Sequence, residues 1–366
     1  MTESDERETS MTAGDPLAAV VRKGVAEAAI RSLRAEGVYD EQRRVRERDD
    51  ETIEVPVTEA PAETDVLDLV RQVDPEPRVT GLADLLREQG FSDEEVDRAP
   101  SSWAVVGTVV LARFDDCPRR QEVAEALLEL HGEADTVVDG RGVDGVHREP
   151  EVDVVAGEGD TETVHVEHGT RYALDLSRVM FSPGNKAERA RMGEVVAGEA
   201  PPAVGTGNDG DEQVLDMFAG VGYFALPMAR AGARVTAVEH NPTAFQYLLE
   251  NASLNDVTDR VDPYRGDCRE VVDRLPAESV DRVVMGYYDA TDPGEAYLDP
   301  ALHAVAPGGV LHVHAAVPEM ELWDRPVGRI EAATDAAGRT AEVLDRRTVK
   351  THSEGVSHVV LDVQTP

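Results

Sequence analysis

Cysteine is nearly absent from this chain: 366 residues hold two, Cys117 and Cys268. A pair so far apart in sequence makes neither a disulfide framework nor a zinc site. Aromatic residues are scarce, at 4%. Positive charge is short as well, with 36 basic residues against 73 acidic ones and a formal net charge of -37. That balance argues weakly against nucleic acid as a partner. A local basic face could still hold RNA, so local clusters carry more weight than the total. No apolar run approaches the ~18 residues of a membrane span. The first residues, Met1–Arg7, lack the apolar region of a signal peptide. A cytoplasmic protein is expected, with no membrane partner and no obligate protein partner evident.

Strongly patterned apolar stretches argue against disorder. The composition instead suits a folded protein under a solvated acidic surface, as in a halophilic archaeon. There, salt screens like charges over about 3 Å at 1 M.

Residues 1–15 read as a disordered acidic tail. Apolar positions at helical spacing (Leu17, Val20, Val21, Val25, Ala28, Ala29, Leu33) predict a helix over 16–36 that Gly37 caps. Arg43, Arg44, Arg46 and Arg48 lead into a strand, Thr52–Val57, and Thr58–Thr64 reads as a linker. Residues 16–65 thus form a small α/β unit. An α+β domain is expected over 66–197. It has a helix near Leu82–Glu88, a strand Trp103–Phe114 and a helix Gln121–Leu130. A turn-rich basic segment follows at Gly140–Arg148, then strands at Thr163–Glu167 and Arg171–Asp175. Residues 198–212 read as a flexible acidic loop.

From 213 to 366 strands and helices alternate. The strands are Val214–Phe218, Arg234–Glu239, Val261–Gly266, Arg282–Tyr287 and Val310–Val317. The helices between them begin near Tyr223, Pro242, Cys268 and Gly294. Thr340–Val349 and Ser357–Val363 close the sheet. This is the pattern of an α/β doubly wound, mostly parallel sheet. Its ligands sit at the carboxyl ends of the strands.

Asp216–Gly222 (D-M-F-A-G-V-G) follows an apolar strand and opens a helix. Gly220 and Gly222 let backbone approach a ligand closely. A tight turn without a ligand is the plain alternative. About 20 residues on, strand two ends at Glu239, where an acid can accept from ribose hydroxyls. Strand three ends at Asp267 and Cys268, where an acid can meet an adenine amino group. Asp216 inside the first loop fits a dinucleotide pyrophosphate poorly. It suits a ligand carrying an ammonium and a sulfonium, although it could equally be structural.

These residues together resemble class I S-adenosylmethionine-dependent transferases. The resemblance implies a Rossmann-like fold, S-adenosyl-L-methionine as group donor, and no metal. The stretch Val164–Met192 is more specific. With the glycine turn, it is similar to two related tRNA enzyme families of archaea and eukaryotes. One comprises the tRNA guanine-37 N1-methyltransferases. The other comprises the wybutosine-pathway transferases, which move the 3-amino-3-carboxypropyl group onto 4-demethylwyosine in tRNA-Phe.

The end of strand four separates the two. Where the methyltransferases resemble other base N-methyltransferases with an Asn-Leu-Pro or Asn-Pro-Pro motif, this chain has Gly286–Tyr288, with neither Asn nor Pro. The Met-Gly-Tyr pattern, His312–His314, Val317–Glu319 and Gly355–Asp362 are similar to the aminocarboxypropyl transferases. The resemblance covers roughly 85–365. The N-terminal unit instead resembles the small first domain of the methyltransferases and keeps that alternative open.

By this resemblance Ser182 and Arg189 contact the methionyl part of the cofactor, with the guanidinium free for its carboxylate. Glu239 binds the ribose, Asp267 the adenine end, and the Cys268 backbone adds a contact. Without the resemblance, Ser182 is a turn residue before Pro183, Arg189 an ion-paired surface charge, and Cys268 a small helix-start residue with an inert thiol. Tyr287, the candidate catalytic residue, and Tyr288 sit where a base could stack, or are core residues. His312 and His314 share one face of a strand and suit packing better than catalysis. Gly140–Arg148 and Arg43–Arg48 are candidate phosphate contacts, or are paired with the surrounding acids. An RNA-binding protein with a degenerate cofactor fold is a third reading. The intact glycine turn and both acids weigh against it.

Overall fold

The computed structural model of the protein describes residues 16–76, 78, 81–202 and 210–366. The expected tail at 1–15 and the middle of the 198–212 loop lie outside these residues. The chain divides into two compact units, Met1–Val96 and Asp97–Pro366. No helix among the described residues is long and apolar enough to cross a membrane.

The first unit is built on β1 (Leu17–Arg22), α1 (Ala26–Glu36), β2 (Arg46–Glu47), β3 (Thr52–Val57) and β4 (Asp68–Arg71), followed by α2 (Leu82–Glu88) and α3 (Asp93–Asp97). Its antiparallel sheet runs β2-β3-β1-β4. The single helix expected over 16–36 is therefore a strand followed by a helix. β1 is a central strand with Ala18–Val21 buried. Its apolar run is continuous, and such a run cannot be told from a buried helix by periodicity. α1 then packs Ala29 and Leu33 against Ala19, Val21 and Val55. Gly37 ends it at φ 75, donating to the Arg34 carbonyl as the sequence suggests. β4 pairs with β1, so Thr58–Thr64 is a loop inside this unit and the expected boundary at 65 falls short of its last strand.

The second unit opens with β5 (Trp103–Val106), β6 (Val109–Ala112), α4 (Arg120–Leu130), β7 (Thr136–Asp144) and β8 (Glu149–Gly157). The strand expected over Trp103–Phe114 is two, folded back at Gly107, whose φ of +58 suits glycine. Gly140–Arg148 is the outer part of β7 and the turn of a long hairpin with β8. Then come the hairpin β9 (Glu162–Glu167) with β10 (Thr170–Asp175), and α5 (Lys186–Val196).

The large sheet follows, formed from β11 (Gln213–Asp216), α6 (Ala225–Arg230), β12 (Arg234–Glu239), α7 (Pro242–Leu254), β13 (Val261–Arg265), α8 (Cys268–Val272), β14 (Val280–Met285), α9 (Leu298–Ala304), β15 (Val305–Pro318), α10 (Asp324–Ala336), β16 (Glu342–Ser353) and β17 (Val356–Thr365). The strand order is β13-β12-β11-β14-β15-β17-β16. β11 to β15 are parallel, and β16 and β17 form an antiparallel edge. This is the doubly wound, Rossmann-like sheet expected, with α10 as an added helix. Order reverses between β11 and β14, which places a crevice at their carboxyl ends.

Residues 97–197 do not stand apart from this sheet. Tyr172, Leu174, Phe181 and Met192 share one buried cluster with Val214, Phe224 and Leu248. Asn251 of α7 fastens the two parts together. Its side chain accepts from the Ala173 amide at 2.7 Å and donates to the Ala173 and Val221 carbonyls.

Candidate functional site: a cleft over the glycine turn

The turn after β11 is shaped by backbone geometry before any ligand is considered. Gly220 and Gly222 have φ values of 57° and 103°. A Cβ at Gly220 would lie 2.3 Å from Tyr223 Cε2, and one at Gly222 would lie 2.6 Å from Leu226 Cδ1. The Ala219 amide donates to the Val238 carbonyl, which ties the turn to β12. The Gly220 amide donates to Glu239 Oε2 at 2.7 Å, and the Asn241 amide donates to Oε1 at 2.6 Å. Glu239 thus holds the turn and faces the cleft. Burial pushes its carboxyl above the ordinary range.

The cleft has a volume of about 280 Å³. Gly220, Glu239, Asp267, Cys268, Ser182 and Tyr287 all line it, as do Tyr223, Asn241, Tyr288 and Tyr297. Six of the nine residues singled out in the sequence therefore converge on one cavity. Asp216 and Gly222 lie behind it, within the turn.

Asp216 is fully buried, and Oδ1 accepts from the Phe218 amide while Oδ2 has no hydrogen-bond partner among the described residues. Burial pushes its carboxyl up to about 7. The Tyr223 hydroxyl is likewise buried without a partner. Asp267 caps α8 through the Arg269 amide, and Arg269 holds its carboxylate below the usual range. Burial pushes the Cys268 thiol up to about 12, so it carries no thiolate at neutral pH.

Arg189 is the exception. Its guanidinium is buried and does not line the cleft. Nε and Nη2 donate to the two oxygens of Glu167 at 2.6 and 2.9 Å, and Nη1 donates to the Ser182 carbonyl at 2.9 Å. Burial alone would raise Glu167, but His165 and Arg189 outweigh it and hold the carboxyl at about 2. The expectation of a guanidinium free for a ligand carboxylate is therefore corrected. A bidentate partner on β9 occupies it, and it positions the Ser182 loop.

At the mouth, Tyr287 stacks on Phe218 with centroids 5.2 Å apart, and Tyr297 meets both rings edge-on. The β7–β8 turn reaches over this group. Its His147 carbonyl accepts from Asn241 Nδ2, and Arg148 lies 5.6 Å from the Tyr287 centroid and 5.8 Å from that of Tyr288. Asn241 also caps α7 through Thr243 and Ala244. The Asn-Pro pair before a helix was a readable signal that sequence reasoning passed over. Tyr223, Tyr297 and Arg269 carried none.

His312 and His314 lie buried within the sheet and away from the cleft. Arg282 donates to His312 Nε2, so Nδ1 carries the proton and donates to Asp362 at 2.6 Å. Burial keeps the ring neutral. No group of metal-ligating side chains occurs among the described residues. Arg43, Arg44, Arg46 and Arg48 are each ion-paired, with Asp40, Glu76, Glu54 and Asp68. Of the basic segment Gly140–Arg148, His147 and Arg148 meet the cleft.

A model of the TRM5/TYW2 methyltransferase domain matches residues 163–344, and one of the TYW2 N-terminal domain matches residues 82–161. The chain is 36% identical over 294 residues to the tRNA(Phe) (4-demethylwyosine(37)-C(7)) aminocarboxypropyltransferase of Pyrococcus horikoshii, covering 78% of this chain and 98% of the relative. The structure of P. horikoshii TYW2 in complex with MeSAdo superposes with a TM-score of 0.61 at 33% identity, over 77% of this chain and 97% of that one. Trm5b from Pyrococcus abyssi superposes with a TM-score of 0.69 at 27% identity, over 96% and 99%.

Proposed function

The chain belongs to the TRM5/TYW2 family, and from that premise we propose that it transfers the 3-amino-3-carboxypropyl group of S-adenosyl-L-methionine to 4-demethylwyosine in tRNA-Phe, releasing methylthioadenosine. The cleft has the chemistry such a cofactor needs. Glu239 and Asp267 offer acceptors at the adenosyl end. Asp216 Oδ2 and the Tyr223 hydroxyl are buried without partners in or behind the turn. Cys268 contributes backbone at the start of α8.

The cofactor supplies a sulfonium with three electrophilic carbons, and whichever faces the nucleophile in line is the one transferred. The protein's task is therefore orientation. Tyr287, stacked on Phe218, offers a surface for the incoming base. Ser182 lies on the methionyl side, fixed through its carbonyl by Arg189. A carbon nucleophile on an electron-rich tricyclic base needs no strong general base.

One observation carries the choice of reaction. The stretch Gly286–Tyr288 has no Asn and no Pro, and a Cβ at Gly286 would lie 2.8 Å from Phe224 Cε2. An amide side chain there would require the Phe224 ring to move. Methylation of guanine-37 N1 is the second reading, favoured by the likeness to Trm5b over 96% of the chain.

Within the stretch 66–197, the tRNA contacts are assigned to the part in the second unit, with Arg148 of the β7–β8 turn at the rim of the cleft. A tRNA substrate supports a cytoplasmic reaction. The acidic surface belongs to a halophilic protein, so the assay is run in high salt. The test offers carboxyl-labelled and methyl-labelled S-adenosylmethionine with tRNA-Phe from cells lacking this protein. Carboxyl label in the tRNA is expected. Methyl label without carboxyl label would overturn the proposal in favour of the second reading.

A further inference from the structure

With Arg189 neutralised by Glu167, the cleft needs another cation for the carboxylate of the amino-acid arm. We propose that Lys350 is that cation, acting through the hydroxyl of Ser182. It is a positioning residue, and the inference rests on the cofactor reading above.

Lys350 lies on β16, and its Nζ donates to Ser182 Oγ at 2.7 Å. Ser182 lines the cleft. Arg148 lies at the rim of the cleft, over the Tyr287 and Tyr288 rings, and the arginines beside Lys350 are occupied. Arg347 is paired with Glu188 and Asp362, and Arg191 with Asp345 and Asp362. Lys350 has no ion pair among the described residues, and the Ser182 hydroxyl is the partner it holds. Burial and the charge of Arg189 both press its ammonium toward the neutral form, so a bound carboxylate would relieve it.

The strand is built to aim it there. β16 pairs with β17 through Thr348↔Val359 and then Lys350↔His358, which leaves Val349 as an extra residue. In a regular strand, residues separated by an odd number of positions point to opposite faces. Arg347 and Lys350 would then diverge. The bulge turns the second to the side of the first. Arg347 reaches Glu188 while Lys350 reaches Ser182, both on the segment that opens α5. The Lys350 stem crosses Gly184, where a Cβ would already lie 3.0 Å from its Cδ.

The carboxylate has particular weight in this reaction because it travels with the transferred group. In methyl transfer it stays on the leaving homocysteine. A cation fixed behind Ser182 would hold the moving arm through that hydroxyl.

The test measures binding to the full chain by calorimetry, without tRNA. The two probes are S-adenosylmethionine and its decarboxylated form, which differ in the carboxylate alone. Lys350→Gln is expected to weaken S-adenosylmethionine about tenfold to hundredfold, in the range of a hydrogen bond to a charged group. The decarboxylated probe should bind as before, and Lys350→Arg should restore the preference. Lys350→Met, which keeps the stem over Gly184, is the second variant if the first fails to fold. Equal effects on both probes, or no effect on either, would overturn the proposal. So would a loss of preference in Arg148→Gln but not in Lys350→Gln. A wild-type chain that bound neither probe would overturn the cofactor reading itself, and the proposal with it.

Discussion

Arg189→Met is expected to destabilise the protein by about 3–5 kcal/mol, the cost of stranding one partner of a buried ion pair. The pair is deeply buried, with Arg189 2% and Glu167 3% exposed. Both guanidinium bonds to the carboxylate are short, at 2.6 and 2.9 Å. The carboxyl of Glu167 gives a second measure of similar size. It is held at about 2 against an ordinary 4.5. That difference is worth about 3 kcal/mol. A lowered carboxyl contributes stability that is present above about pH 4.5 and lost as pH falls toward about 2. Urea unfolding followed by circular dichroism, at about pH 7, reads the loss. Adding Glu167→Gln to Arg189→Met removes the stranded charge and should recover a large part of it. A single variant within about 0.5 kcal/mol of wild type, as for a surface charge, would rule out a stranded buried charge. So would a double variant no better than the single one.

Three further outcomes concern the turn and the start of α8. Burial raises the Asp216 carboxyl to about 7. The stability tied to its proton is therefore present below about pH 4 and lost as pH rises through about 7, so Asp216→Asn should gain on wild type by up to about 4 kcal/mol between those limits. Urea unfolding across that window checks it, and a pH-independent difference would count against it. Gly220→Ala combines a positive φ with a Cβ 2.3 Å from the Tyr223 ring. It should weaken S-adenosylmethionine at least about tenfold in calorimetry, since about 1–2 kcal/mol of backbone strain adds to a displaced ring; an unchanged affinity would contradict the account of the turn. Cys268→Ala should leave the transfer rate intact, because a thiol pushed up to about 12 supplies no nucleophile. A rate that collapsed would assign the thiol a role.

The cofactor turn was legible because it is local. An apolar strand, two glycines and an acid at each following strand end place Gly220, Glu239 and Asp267 together with no long-range knowledge. The strands of the large sheet were legible for the same reason. What failed depends on burial or on distant partners. β1 read as a helix because a central strand is apolar throughout. Arg189 was assigned to the ligand by the resemblance, and its own reading as an ion-paired charge could not name Glu167, 22 residues away on β9, as the partner. Lys350 was invisible, since it meets Ser182 across 168 residues and faces it by virtue of one bulged position. The fit of Gly286 against Phe224 likewise appears only when β14 and the helix after the turn are packed.

The by-product of a single turnover records which carbon left the sulfonium. With tRNA-Phe carrying 4-demethylwyosine, chromatography of the nucleoside fraction should show methylthioadenosine formed in step with the modified base. S-adenosylhomocysteine in its place would mean that the methyl group had moved, and would contradict the account.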